Sequence, residues 1–268
     1  MNCISIDIIK IGGSVITDKS SYLKVRKENL IQICKQLENW DKPLIIVHGA
    51  GSFGHIVAEK HSIQTGFKDI NQLDGIVKIR QDMSSLTQEV VSCLMENDVK
   101  AMGFQTSALA YSDDNEVLYF LKPVEKALSL GICPILSGDV LFVEKEGFTI
   151  HSGDSIINTL VKNFSVNQVI FLTDVDGLFE KTEDEKARKL VRKLSYQDLD
   201  KFQAEEIKTD FIDVTGSMQG KIKEISKLLK HVDEVVILNG LFPKRLRFIL
   251  NNEEVVSTIL LGEKSTQR

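Results

Sequence analysis

Short runs of aliphatic residues alternate along this chain with longer amphipathic stretches, and several of the runs stop at glycine. No other feature limits the fold as strongly. A continuous apolar run of four to eight residues fits a strand covered on both faces. Strands that alternate with helices require a largely parallel sheet with helices packed over it. Residues 4–11 read as such a strand, ending at Gly12 and Gly13. Residues 44–47 form a second, stopped by His48 and Gly49. Residues 134–136 and 140–143 flank Ser137, Gly138 and Asp139, and residues 169–172 and 235–238 supply later strands. Between them lie helical stripes: Leu30, Ile33, Cys34 and Leu37 within 25–40; Ile76, Ile79, Met83, Leu86, Val90 and Leu94 within 71–96; Ile156, Ile157, Leu160, Val161 and Phe164. The expected fold class is α/β, an open and mainly parallel sheet between helical layers. A weak boundary is expected near 163–168, a solvated loop or hairpin over 180–193, and a frayed tail over 263–268.

The net charge of −5 argues against a general nucleic-acid binder, which would carry a basic field. No apolar stretch approaches the roughly 20 residues of a membrane helix. The first ten residues lack a basic segment before the apolar run, which Asp7 and Lys10 interrupt, so no signal peptide is expected. Cys3, Cys34, Cys93 and Cys133 form no C-x-x-C pair and read as reduced thiols of a cytoplasmic protein.

Four glycine-bearing segments follow apolar runs: Lys10-Ile11-Gly12-Gly13-Ser14, Gly49-Ala50-Gly51-Ser52-Phe53-Gly54-His55, Ser152-Gly153-Asp154-Ser155 and Thr215-Gly216-Ser217. Ligands of open α/β sheets bind outside the carboxyl ends of the strands. Glycine there lets backbone N–H groups approach an anion, and a following helix adds the positive end of its dipole. Several such turns carrying Lys, His and Asp point to a polyphosphate site. Gly49–Gly54 also satisfies G-x-G-x-x-G, but no strand precedes the acidic position about 20 residues on, as a dinucleotide fold requires. Gly216–Lys221 is one residue short of a P-loop and lacks Ser or Thr after the lysine.

In this order, Lys10-x-Gly12-Gly13-Ser14, the Gly49–His55 turn, Thr173-Asp174-Val175-Asp176-Gly177 and Asp213-Val214-Thr215-Gly216 with Lys221 resemble the amino-acid kinase superfamily over nearly all of the chain. His55, and the segment Ile150-His151-Ser152-Gly153-Asp154-Ser155-Ile156, resemble the isopentenyl phosphate kinases within it; fosfomycin kinases share the histidine. Two positions depart from the usual pattern, Ala50 and Ser217, and both carry small residues.

The resemblance implies an α/β/α sandwich of one domain over residues 1–268. The acceptor would bind over the N-terminal part and ATP over about 165–268, and the protein would be a homodimer. It implies ATP-dependent phosphorylation of isopentenyl phosphate to the diphosphate, with a same-fold kinase for another phosphate or phosphonate as the alternative. By the same resemblance Lys10, Lys19, Asp154 and Lys221 would be catalytic. Ala50, Gly51, His55 and Gly153 would hold the acceptor. Gly12, Gly13, Ser14, Gly51, Thr173, Asp174, Asp176, Gly177, Gly216 and Ser217, with Lys10 and Lys221, would hold ATP. His48, His61, His151 and His231 show no metal-ligand spacing, so Mg²⁺ is expected to bind mainly through ATP phosphates. The partners expected are small-molecule phosphates, not nucleic acid or membranes.

Overall fold

The computed structural model describes residues 5–113, 116–181, 188–199, 202, 216–251 and 253–263; at 181, 216–219 and 221 it describes the backbone alone. Eight described strands form the main sheet, in the order β12 (Lys193–Ser195), β14 (Ser257–Leu261), β13 (Glu234–Asn239), β9 (Ser165–Thr173), β1 (Ser5–Ile11), β2 (Leu44–His48), β6 (Cys133–Ser137) and β3 (Ala101–Gly103). Every neighbouring pair is parallel except β13 with β14. β9, which begins at Ser165 within the stretch 163–168, pairs with β1 in this same sheet.

Helices cover both faces. On one face Ile9, Ile11, Ile46, Ile170 and Leu238 pack against α2 (Lys27–Gln36) and α4 (Gln72–Met95). On the other, Ile6, Ile8, Ile45, Val47 and Phe171 pack against α6 (Lys122–Ser129), α7 (Gly153–Asn163) and α8 (Gly216–Leu228). Strand side chains alternate between faces. Lys10 therefore shares the face of Ile6 and Ile8 and points toward the layer that contains α7. His48 falls on the opposite face, under α4.

A second sheet, β5 (Val117–Tyr119), β4 (Ala110–Ser112), β7 (Asp139–Val143) and β8 (Gly147–His151), leads directly into α7. The expected strands 134–136 and 140–143 thus belong to different sheets. The helix expected over 25–40 is shorter, because Val25 bridges to Thr17 and Leu37 already caps the last turn. Phe164 likewise caps α7 instead of continuing it. Strands β10 (Phe179–Lys181) and β11 (Arg188–Leu190) pair antiparallel, overlapping the stretch 180–193. Among the described residues, no helix is long and apolar enough to cross a membrane.

Candidate active site

The order of the main sheet reverses at β1: the chain moves to β2 and β6 on one side, then returns to β9 on the other. That reversal opens a crevice at the carboxyl ends of the parallel strands. The turns there are joined to the strand ends by backbone hydrogen bonds. Gly12 N–H reaches Leu172 O at 2.9 Å, Gly49 N–H reaches Ile11 O at 2.9 Å, and Gly240 N–H reaches Thr173 O at 2.8 Å.

The two N-terminal glycine turns touch backbone to backbone. A Cβ on Gly13 would stand 2.3 Å from Gly51 N. Gly51 has φ +50°, and a Cβ there would stand 2.0 Å from Thr17 Oγ1. Thr17, a site residue that sequence patterning missed, links the turns. Its hydroxyl donates to Gly13 O at 2.8 Å and accepts from Ser52 N–H at 3.0 Å. Ala50 is accommodated because Gly54 opposite has no side chain: a Cβ on Gly54 would lie 2.6 Å from the Ala50 methyl.

Lys10 and Asp154 form an ion pair at 3.0 Å, with side chains 9% and 17% exposed. Asp154 lies in the first turn of α7, whose N-cap Ser152 accepts from Ser155 N–H. Gly153 brings this turn close, since a Cβ there would be 3.7 Å from Lys10 Cε. Breaking a buried pair leaves an uncompensated charge, at a cost of about 3–5 kcal/mol. Lys10 is thus fixed.

Lys19 instead meets Asp174 at 3.3 Å, with side chains 67% and 42% exposed. Such a pair is worth at most about 1 kcal/mol, so an incoming anion can open it. Burial works against ionisation of Asp174, but Lys19, its own backbone N–H and the Ser14 hydroxyl outweigh it and lower its pKa.

His55 begins α3 (His55–Lys60). Although the residue as a whole is exposed, the surrounding protein desolvates its ring. That desolvation, and then the charges of Lys19 and Lys10, push its pKa down. His48 is fully buried and pairs through Nε2 with Thr87 Oγ1 at 2.9 Å, so it supports α4 and does not face the crevice.

The later motif divides by role. The Thr173 hydroxyl is committed to its own turn, donating to Val175 O at 2.9 Å. Asp176 is held by Arg245 and by Asn239 Nδ2, and burial opposing these bonds does not prevent a lowered pKa. Gly177 packs against β14, where a Cβ would strike Thr258 Oγ1 at 2.3 Å. Asp174 is left facing Lys19. Gly216, Ser217 and Lys221 lie on α8, which is joined to α7 through Asn158 Nδ2 donating to Glu224 Oε2 at 2.6 Å. Asp154 precedes Asn158 by one turn, and Lys221 precedes Glu224 by three residues. Residues 213–215 of the motif lie outside the described residues.

Among the described residues, no group of three or more His, Cys, Asp or Glu converges as a metal centre. What does converge is a set of cations and glycine turns at a topological switch point, an arrangement suited to phosphate groups. The profile of the amino acid kinase family matches residues 6–239. The chain belongs to the amino acid kinase family. Family membership makes it a phosphotransferase. An isopentenyl phosphate kinase of Thermoplasma acidophilum is 31% identical over 256 residues, 94% of this chain and 99% of that protein. One from Methanothermobacter thermautotrophicus is 31% identical over 269 residues, covering 96% and 99%. A crystal structure of an isopentenyl phosphate kinase substrate complex superposes with a TM-score of 0.79 at 28% identity, covering 95% and 99%.

Proposed function

We propose that this kinase transfers the γ-phosphoryl group of ATP to isopentenyl phosphate, giving ADP and isopentenyl diphosphate. The observation that carries this reading is the buried Lys10–Asp154 pair beside two abutting glycine turns, with His55 close enough to both Lys10 and Lys19 to feel their charges. The near full-length similarity to kinases of isopentenyl phosphate supports the choice of acceptor.

A phosphate monoester has a second pKa of about 6 and is mostly a dianion at neutral pH. Its oxygen attacks the γ-phosphorus in line, the bond to the β–γ bridging oxygen breaks, and ADP leaves. No general base is needed; the obstacle is repulsion between anions, so catalysis is positioning and charge neutralisation. In the proposal Lys10, oriented by Asp154, meets the transferring group, Lys221 approaches from the ATP side and Lys19 from the loop after β1. Backbone N–H groups of Gly12, Gly13, Ser14 and Gly51 cradle phosphate oxygens. Ala50, Gly51, Gly153 and His55 hold the acceptor phosphate, while Thr173 and Gly177 shape the nucleotide side from behind Asp174. Asp176, Gly216 and Ser217 complete that side. Mg²⁺, expected to be held mainly by nucleotide phosphate oxygens, would supply further charge neutralisation.

The proposal treats residues 1–268 as one domain with the acceptor over its N-terminal part and ATP over about 165–268. It also includes a homodimer working in the cytoplasm, as the family resemblance implies. ATP turnover with Mg²⁺ should be compared across isopentenyl phosphate, dimethylallyl phosphate, longer prenyl phosphates, fosfomycin, UMP, acetylglutamate, glutamate and aspartate. Isopentenyl phosphate should be the best acceptor, with a diphosphate product seen by phosphorus NMR. A preference for UMP, an amino acid or fosfomycin would overturn the assignment and leave the fold standing.

A further inference from the structure

The loop between β1 and α2 carries Lys19 and is fastened at its tip by a contact that the proposed reaction does not use. The Tyr22 hydroxyl donates to Asp82 Oδ2 on α4 at 2.5 Å. Asp82 is buried, 3% exposed, and its Oδ1 accepts from Lys78 Nζ at 2.5 Å. The Lys78 ammonium lies 5.8 Å from the centre of the Tyr22 ring. Burial and the bond to Asp82 raise the phenol's pKa, so it stays a donor at neutral pH.

Between Lys19 and Tyr22 the loop is bonded to itself. Asp18 accepts from the Ser20 N–H at 3.1 Å and hydroxyl at 2.7 Å, Asp18 N–H reaches Lys24 O at 2.9 Å, and Ser21 N–H reaches Asp18 O at 3.2 Å. Lys24 adds an ion pair to Asp18 at 3.1 Å. A segment closed on itself in this way moves as a unit, so holding Tyr22 also holds Lys19.

Apolar burial does not hold the tip: Tyr22 is 44% exposed and Leu23 38%. The exposed Lys19–Asp174 pair is too weak to do so. Among the described residues, that leaves the bond to a buried carboxylate, with the Lys78 ammonium over the ring, to tie the tip to α4. Asp82 adjoins Met83, whose Sδ would stand 3.7 Å from a Cβ on Gly54, so the anchor lies beside the turn that precedes His55. We propose that Tyr22 is a positioning residue: through its bond to Asp82 it keeps the loop closed over the crevice and sets Lys19 toward the transferring phosphoryl group. The catalytic part of this inference rests on the kinase reaction proposed above.

Tyr22→Phe keeps the ring over Lys78 and removes only the hydroxyl. The variant should lose about tenfold in kcat, with the KM for ATP changed less than twofold and Tm within a few degrees of wild type. In a Lys19→Ala background the same substitution should cost almost nothing further, because there is no ammonium left to position. Independent, multiplying losses would overturn the proposal. The rates are to be measured with whichever acceptor the panel turns over, so a wrong acceptor does not decide this question. A second readout needs no substrate: amide hydrogen exchange at residues 18–24 should be at least fivefold faster in Tyr22→Phe. Unchanged exchange would show that the bond does not hold the loop.

Discussion

Lys10 on the central strand and Asp154 at the start of α7 join the sheet to a helical layer through a 3.0 Å ion pair that is largely shielded from water. The pair carries both stability and the proposed chemistry, and the two can be separated. Lys10→Met or Asp154→Asn alone leaves one buried charge unpaired. Each should lower Tm by several degrees and kcat by roughly 10²-fold or more. The double variant removes both charges and should regain most of the lost Tm while kcat stays low. Recovery of activity together with stability would show that the pair is only structural. Thermal melts and steady-state rates on the three variants decide this.

The abutting glycine turns predict a contrast between two identical substitutions. In Gly13→Ala the new methyl meets Gly51 backbone at 2.3 Å, and backbone cannot swing aside as a side chain can. Both turns must shift, so Tm should fall and turnover should drop at least tenfold. Gly220→Ala adds a methyl with nothing within 4 Å inside a helix, where alanine is favoured by about 0.5–1 kcal/mol. It should hold or slightly raise Tm. Equal effects of the two would refute the packing argument.

Two buried imidazoles make stability depend on pH in a defined window. Burial, helped by the charge of Lys10, lowers the pKa of His48 to about 4. Burial also lowers that of His151 to about 4, against the pull of Asp139 and Glu224. Both rings are neutral in the folded protein, whereas in the unfolded chain they take up protons near pH 6.5. Their stability contribution is therefore fully present above about 6.5 and is lost as pH falls toward 4. The urea midpoint should decline from pH 7 to 5, and the His48 ring resonance should not titrate between pH 6 and 8 by proton NMR. A midpoint flat over that range would contradict the assignment.

The sequence made the central strands legible because residues 44–47 of β2, 169–172 of β9 and 235–238 of β13 are buried on both faces and read as apolar runs, and β1 reads as one broken only by Asp7 and Lys10. The long stripe of α4 was legible to within a residue at each end, since its 24 residues leave little room for misreading the period. The second sheet was largely missed: β4 and β5 have three residues each, too few for alternation to show. The site followed the same division. Lys10, Gly13, Gly51 and Asp154 stand out as unusual residues at strand and helix ends. Thr17 and Tyr22 do not, because their importance comes from partners that only the fold brings near. Asp82 lies 60 residues from Tyr22 and, by periodicity alone, is one more polar position on a long helix.

His55 gives the sharpest test of acceptor recognition. It follows Phe53 and Gly54 at the start of α3, where Lys10 and Lys19 already make the surroundings positive. Burial and those charges hold the ring below its ordinary pKa, so at pH 7.5 it is a neutral imidazole offering one N–H. A hydrogen bond from that N–H to a phosphate dianion is worth about 1.5–3 kcal/mol. It persists from bound substrate to transition state, because the non-bridging oxygens stay charged throughout. Its loss should therefore appear mainly in binding. His55→Ala should raise the KM for isopentenyl phosphate by roughly 10- to 100-fold, since about 1.4 kcal/mol is tenfold. The KM for ATP should move much less, and His55→Gln, which keeps a donor, should retain more activity than the alanine variant. Because the neutral ring is the binding form, kcat/KM for the acceptor should show no loss from His55 titration between pH 7 and 8.5. A KM that rises equally for ATP and acceptor, or that worsens steadily above pH 7 in wild type but not in His55→Gln, would remove His55 from the role of phosphate selector.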